Sequence, residues 1–152
     1  MSQKNFYSQM SSHGGDIMVT SLNRGDLSQL LPIMEQAHHE VYQGPVNKEK
    51  FHQYWDMVIE TNSGGILVHH TNEAIKGFLG YVCDTNPCTY EDGLCVIFIY
   101  VLPEYRGGHI YEDLISNLEI LSDTIEIYAH SPGAQIFLEK RGYYQTSVIY
   151  RK

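Results

Sequence analysis

The strongest constraint in this sequence is a nine-residue apolar run, Leu94 to Leu102 (LCVIFIYVL), that leads into Pro103-Glu104-Tyr105-Arg106-Gly107-Gly108. The run is about half of the ~20 residues that a membrane-spanning helix needs, so it reads as a long strand, the central one of a sheet. A glycine-rich turn follows, then a helix carrying Ile110, Leu114, Ile115, Leu118 and Leu121. A strand, a glycine turn and a helix N-terminus in that order present unpaired backbone N–H groups to an anion. Arg106 adds a positive charge beside them.

The flanking pattern supplies the rest of a mixed sheet. Residues 1 to 15 are rich in Ser, Gln, Asn and Gly without a period, and read as a flexible tail ahead of one domain over 16 to 152. Ile17 to Leu22 is a first strand. Asp26 is expected to cap the helix starting at Leu27 rather than to complete an integrin-type Arg24-Gly25-Asp26 tripeptide. Pro32 falls in the first turns of that helix as a candidate kink or restart. Asn47 caps a second helix, in which Phe51, Tyr54, Trp55, Val58 and Ile59 share one face. Gly64-Gly65 ends it. Ile66 to His70 and Ile75 to Cys83 then form a hairpin across Thr71-Asn72-Glu73, and Asn86-Pro87 breaks the pairing. Ile125 to Tyr128 alternates as a strand, Ala134 to Arg141 is a short helix closed by Gly142, and Val148 to Tyr150 is the last strand. The order β-α-α-β-β-β-α-β-α-β describes an α/β chain with one mixed sheet and helices on both faces.

Composition narrows the function classes. The 152 residues suit one domain, and 43% apolar with 12% aromatic residues excludes a disordered chain. Eighteen acids against ten bases give a net charge of −8, which argues against a general nucleic-acid binder. The polar N-terminus lacks an apolar signal region, and three cysteines, Cys83, Cys88 and Cys95, are an odd number. The expectation is a cytoplasmic protein with reduced thiols and no membrane partner. His38-His39-Glu40 lacks the spacing of a helical zinc motif, and adjacent His69 and His70 in a strand point to opposite faces. The cysteine spacing is unlike a zinc finger, so no metal is expected. No nucleophile elbow supports a Ser-His-Asp triad.

Two segments carry a resemblance. Ile99 to Gly108 (IYVLPEYRGG) resembles the acetyl-CoA motif V-x-P-E-Y-R-G-x-G-x-G of the GNAT superfamily of N-acetyltransferases. Ala134 to Tyr143 (AQIFLEKRGY), at the expected distance downstream, resembles the family's A-x-x-F-Y-E-K-x-G-F. The ending Ile149-Tyr150-Arg151-Lys152, and Gly44-Pro45 before the second helix, are similar to a small subgroup often encoded by phages and bacteria. The resemblance implies a single-domain GNAT fold and direct transfer of an acetyl group from acetyl-CoA to an amine. It implies that the backbones of Tyr100, Val101 and Leu102 pair with the pantetheine arm as an added strand would. One N–H there polarises the thioester carbonyl. Arg106, Gly107, Gly108, His109, Ile110 and Tyr111 are implied to hold the pyrophosphate, with Ser131 and Phe137 completing the cofactor side.

The sequence departs from the pattern at chemically loaded positions. His109 and Tyr111 replace two glycines that allow close backbone approach. Leu138 replaces the Tyr that protonates the leaving thiolate, with Tyr128, Tyr143 and Tyr144 nearby. Ser131 replaces an Asn. Between Lys76 and Lys140 there are ten acids and one base, Arg106, and Glu112 and Asp113 open the helix that should face phosphates. Weaker than usual acetyl-CoA binding is therefore expected. An alkyl ammonium, with a reference pKa of about 10, must lose a proton before attack. Some members use a carboxylate early on the central strand, which points to Glu91. His38 and Tyr42, with His39 and Gln43, end the first helix where the fold shapes an acceptor pocket. The acidic balance favours a cationic acceptor, such as a polyamine, an aminoglycoside or a protein lysine. Small members are often homodimers. The alternative is a decayed GNAT-fold interaction module acting on a host partner.

Overall fold

The computed structural model describes residues 18–42, 44–71, 74–85, 92–129 and 131–146, and the Tyr42 side chain lies outside that description. The N-terminal tail, Ile17, Gln43, Asn72-Glu73, Asn86-Pro87, Cys88, Glu91 and the strand expected at Val148 to Tyr150 also lie outside the described residues.

The first strand, β1 (Met18–Ser21), leads through a short 3-10 turn at Arg24–Asp26 into helix α1 (Leu27–Tyr42), which runs through Pro32. Asp26 is fully buried, and its carboxylate accepts from the Gln29 side chain at 3.0 Å instead of capping an amide of the first turn. Arg24 is tied to Asp56 by two hydrogen bonds of 2.8 and 2.9 Å, so the tripeptide is a fold element and not a presented loop. Helix α2 (Lys48–Glu60) begins as the sequence predicts, with the Asn47 side chain accepting from the Lys50 N–H at 3.0 Å.

The sheet continues with β2 (Gly64–His70), β3 (Ile75–Thr85) and β4 (Asp92–Val101). A second 3-10 turn, Pro103–Tyr105, joins β4 to helix α3 (Ile110–Leu121), followed by β5 (Ile125–Glu126) and helix α4 (Pro132–Lys140). The strand order is β1-β2-β3-β4-β5, with antiparallel pairs until β5 joins β4 in parallel. β5 is half the expected length, ending at Glu126. Gly142, at φ +93°, follows α4 in the left-handed conformation expected of a helix terminator.

Two cores hold the sheet. On one face Leu27, Leu30, Met34 and Ala37 of α1, with Trp55 and Val58 of α2, cover Ile66, Val68, Phe78 and Tyr100. Their three- and four-residue spacing is the apolar stripe that an amphipathic helix buries. On the other face Ile110, Leu114, Ile115 and Leu118 of α3 cover Leu67, Leu79, Leu94 and Val96. Leu114, Ile115 and Leu118 have no exposed surface, which stabilises the fold by roughly 1.5–3 kcal/mol per side chain relative to exposure.

A bulge in β4 decides which residues reach which core. Gly80 pairs with Phe98 but Tyr81 pairs with Val96, leaving Ile97 as an extra residue in β4. One extra residue reverses the alternation of side chains. Leu94 and Val96 therefore enter the α3 core, whereas Phe98 and Tyr100 enter the core under α1 and α2. Phe98 lies edge-on to Trp55 at 5.2 Å and to Phe78 at 5.3 Å. Its ring covers Gly80, where a Cβ would stand 2.5 Å from ring carbon, so glycine makes the room.

Candidate functional site

The site begins where β4 loses a neighbour. β5 pairs with β4 only at Leu94–Ile125 and Cys95–Glu126, so the rest of β4 has a sheet partner on the β3 side alone among the described residues. The Leu102 N–H donates to the Lys76 carbonyl at 3.0 Å, and its own carbonyl accepts from the Tyr105 N–H at 2.9 Å. Successive strand residues turn their backbone groups to opposite edges. Tyr100 therefore faces β3 with its backbone, while Ile99 and Val101 present theirs to the open edge. This corrects the expectation that Tyr100, Val101 and Leu102 all pair with an added strand. Of the three only Val101 faces outward, and its partner in that role is Ile99, which the motif did not single out.

The strand exit makes a bend rich in unused donors. The Arg106 N–H donates to the Pro103 carbonyl at 3.3 Å, and the backbone then passes through Gly107 at φ +88°, a conformation that glycine alone adopts cheaply. The amides of Gly107, Gly108 and His109 donate to no acceptor among the described residues. The first amides of α3, from Ile110 onward, have no partner within their own helix. Together these N–H groups and the helix dipole form a cradle for an anion.

The two residues in place of glycine leave that cradle by different routes. The His109 side chain is 88% exposed, and its φ of −100° is ordinary for any residue, so no glycine is needed there for conformation. The Tyr111 ring turns onto α4 and meets Phe137 edge-on at 5.2 Å, and burial raises its phenol pKa. Ile110 keeps its side chain in the core and offers only its amide. Ser131 serves as the N-cap of α4, its hydroxyl accepting from the Ala134 N–H at 3.1 Å.

The acids at the start of α3 are engaged. Glu112 lies 3.5 Å from the Arg141 guanidinium and 3.6 Å from the His109 ring. Asp113 is 2.9 Å from Nε2 of the fully buried His69, which turns that carboxylate toward β2. Arg141 also binds Glu119 and donates to the Ser116 hydroxyl at 3.1 Å, tying the end of α4 to α3.

Leu138 is buried and has no proton to give. The Tyr143 hydroxyl donates to Glu119 at 3.1 Å, and burial followed by that carboxylate pushes its pKa up to about 12. That phenol holds its proton tightly, while the exposed Tyr128 and Tyr144 line the cleft. Glu91 lies outside the described residues. No group of three or more His, Cys, Asp or Glu side chains able to hold a metal ion occurs among the described residues.

At the end of α1, His38 Nδ1 donates to the Gly44 carbonyl at 2.6 Å, which fixes the turn before α2. One residue that the sequence reading missed dominates this corner. Glu40 forms a 2.8 Å ion pair with Arg106 and accepts from the Tyr100 hydroxyl at 2.5 Å. Arg106, and then Tyr100, hold the Glu40 carboxyl below its usual pKa. Burial and Glu40 push the Tyr100 phenol up to about 12. Arg106 also donates from Nε to the Val101 carbonyl at 2.9 Å and lies over the Tyr100 ring. Its charge, expected to serve the bend, is thus directed at α1. The available signal was helical spacing: Glu40 continues the Leu30, Met34, Ala37 stripe by one further step.

No family model matches the sequence, and the search of curated proteins finds no match either. Solved structures match over nearly the whole chain. A predicted acetyltransferase from Clostridium acetobutylicum, solved with acetyl-CoA, superposes with a TM-score of 0.77 at 15% identity over 90% of this chain and 95% of its own. A possible acetyltransferase from Clostridium difficile 630 gives 0.74 at 14% identity over 91% and 97%. A GNAT family acetyltransferase from Staphylococcus aureus gives 0.70 at 13% identity over 91% and 98%. The fold is that of the GNAT acetyltransferases. In the GNAT fold seen here, the open β4 edge and the amide bend form one wall of a cleft. Tyr111 and Phe137 line it further along.

Proposed function

We propose that this chain is an acetyl-CoA-dependent N-acetyltransferase, moving an acetyl group directly to an amine of a small molecule or of a protein lysine. The observation that carries this reading is the bend at Gly107 to His109. Its free amides follow directly on the open edge of β4, in a chain with the GNAT fold. Acetyl-CoA supplies an activated thioester. The amides of Gly107, Gly108, His109 and the first turn of α3 would hold its pyrophosphate. The backbone groups of Val101 and Ile99 would pair with the pantetheine arm, and an N–H on that edge would polarise the thioester carbonyl. The acceptor amine would enter near Glu40, His38 and the end of α1. The acidic balance of the chain supports a cationic acceptor.

The Tyr100 and Tyr143 phenols are pushed up to about 12 and the Glu40 carboxyl is held below its usual value, so none of the three is tuned as a base near neutrality. Proton removal by solvent, or by Glu91, fits this arrangement. The cellular reading is a cytoplasmic protein with a single domain over residues 16–152, either alone or as a homodimer.

A second reading, a GNAT-fold interaction module without turnover, draws on Leu138 and on the pairing of Arg106 with Glu40. Thermal unfolding with acetyl-CoA separates the two. The enzyme reading expects stabilisation of about 2.7 kcal/mol at a hundredfold excess over Kd. It also expects thiol release with at least one member of an amine panel. No shift at millimolar acetyl-CoA favours the interaction module.

A further inference from the structure

Of the described residues lining the cleft, Arg106 and Arg141 alone carry a permanent positive charge, and both are paired with carboxylates. Arg141 is locked between α3 and α4 by Glu119, Glu112 and Ser116. Arg106 is held differently. Its guanidinium lies along the open edge of β4, with Nε on the Val101 carbonyl and a terminal nitrogen on Glu40. Both partners of that ion pair are nearly half exposed, 45% for Arg106 and 40% for Glu40, so exchanging partners requires no repacking of the core. Glu40 is oriented in advance by the Tyr100 hydroxyl. The amide cradle starts at the next residue, Gly107.

We propose that Glu40 is a positioning residue that competes with the cofactor's diphosphate for Arg106. This rests on the reading of the bend as a diphosphate site. A single guanidinium cannot neutralise the Glu40 carboxylate and a diphosphate at full strength at once. Glu40 holds Arg106 across the β4 edge, on the carbonyl that the pantetheine arm would use. Anion binding at the bend either recruits Arg106 away from Glu40 or proceeds without its charge. In both cases Glu40 weakens cofactor binding through Arg106, and its removal strengthens it.

The test is calorimetric titration of coenzyme A, and separately of inorganic pyrophosphate, into the full chain. Four proteins are compared: wild type, Glu40→Gln, Arg106→Gln and the double variant. Glu40→Gln keeps an oxygen to accept from Tyr100, and it should tighten both ligands about three- to tenfold. In the Arg106→Gln background the same change should have little effect. Unchanged or weaker binding by Glu40→Gln overturns the proposal. An equal gain in the Arg106→Gln background also overturns it, because Glu40 would then act by simple repulsion of a polyanion.

If coenzyme A binds none of the four, the acetyltransferase reading falls. The pyrophosphate arm then decides the competition alone: a gain that requires Arg106 supports it, and none overturns it. Should Glu40→Gln fail to fold, Tyr100→Phe releases the carboxylate from its fixed orientation and should tighten binding by a smaller factor. No tightening in that variant counts against the proposal.

Discussion

The two halves of β4 behave as different structures. At Leu94 and Cys95 the strand lies between β3 and β5, and Leu94 and Val96 point into the α3 core. From Ile97 onward it keeps β3 but loses β5, and Phe98 and Tyr100 point into the opposite core. A continuous strand thus works first as an interior sheet member and then as an edge without a strand partner among the described residues, its Val101 carbonyl taken by Arg106. The bulge at Ile97 is the junction. The comparison teaches that the cleft needs no separate loop to open it, because a change of register and a short neighbour are enough.

The largest effect should come from inserting one alanine after Ile97. A second added residue moves Phe98 and Tyr100 to the face of Leu94 and Val96, so both cores lose their fit. The expected outcome is loss of the cooperative thermal transition and of the near-ultraviolet circular dichroism signal. A native-like melt would break the comparison.

A smaller loss follows from emptying one core. Phe78 is fully buried beneath Phe98, and Phe78→Ala should cost about 3–5 kcal/mol in urea unfolding. Replacing the exposed Ile97 by Ala should cost far less, which separates the bulge's backbone role from its side chain.

Next comes the open edge itself. Val101→Pro removes an N–H that faces away from β3, so the fold should survive while acetyl-CoA stabilisation, about 2.7 kcal/mol at a hundredfold excess over Kd, disappears. Tyr100→Pro breaks the β3 ladder and should unfold the chain. If the two variants behave alike, the assigned alternation is wrong.

The smallest effects are electrostatic. The Glu40 carboxyl is held below its usual value, about 4.5, so its contribution is present above that pH and is lost as the pH falls through the lowered value. The pair is exposed, and the stability difference between wild type and Glu40→Gln should stay below about 1 kcal/mol. It should vanish in acid denaturation series below that range. Tyr100 and Tyr143 have pKa values raised to about 12, so their contributions hold below pH 10 and are lost as the pH rises toward 12. Absorbance titration should show Tyr100 and Tyr143 among the last phenols to ionise, and Tyr143→Phe should remove one of these late transitions.

The fold was largely legible because its signals are local. Asn47 and Gly142 mark ends through backbone chemistry, and the helical stripes fix which faces are buried, whereas Gly64-Gly65, read as the end of α2, lie in β2 and the helix stops at Glu60 with Asn62 at φ +55°. The glycine bend was legible for the same reason. The bulge was not, because Leu94 to Leu102 is apolar throughout and a reversal of alternation leaves no trace in a uniform run. The backbone direction of Leu102 depends on a hydrogen bond to Lys76, a distant partner. Arg106 was read as serving the residues beside it, whereas its partner Glu40 lies on another helix brought near by packing. Ser131 carried two readings, cofactor contact and helix cap, and local sequence could not rank them.

The extra residue at Ile97 also sets a rule for anyone rewriting this strand. Odd and even positions exchange meaning there, so a substitution scheme that is safe at Leu94 and Val96 becomes a scheme for the opposite face two positions later. Grafting the strand onto another scaffold would have to carry the insertion with it, together with the gap at Gly80 that lets an aromatic ring lie flat.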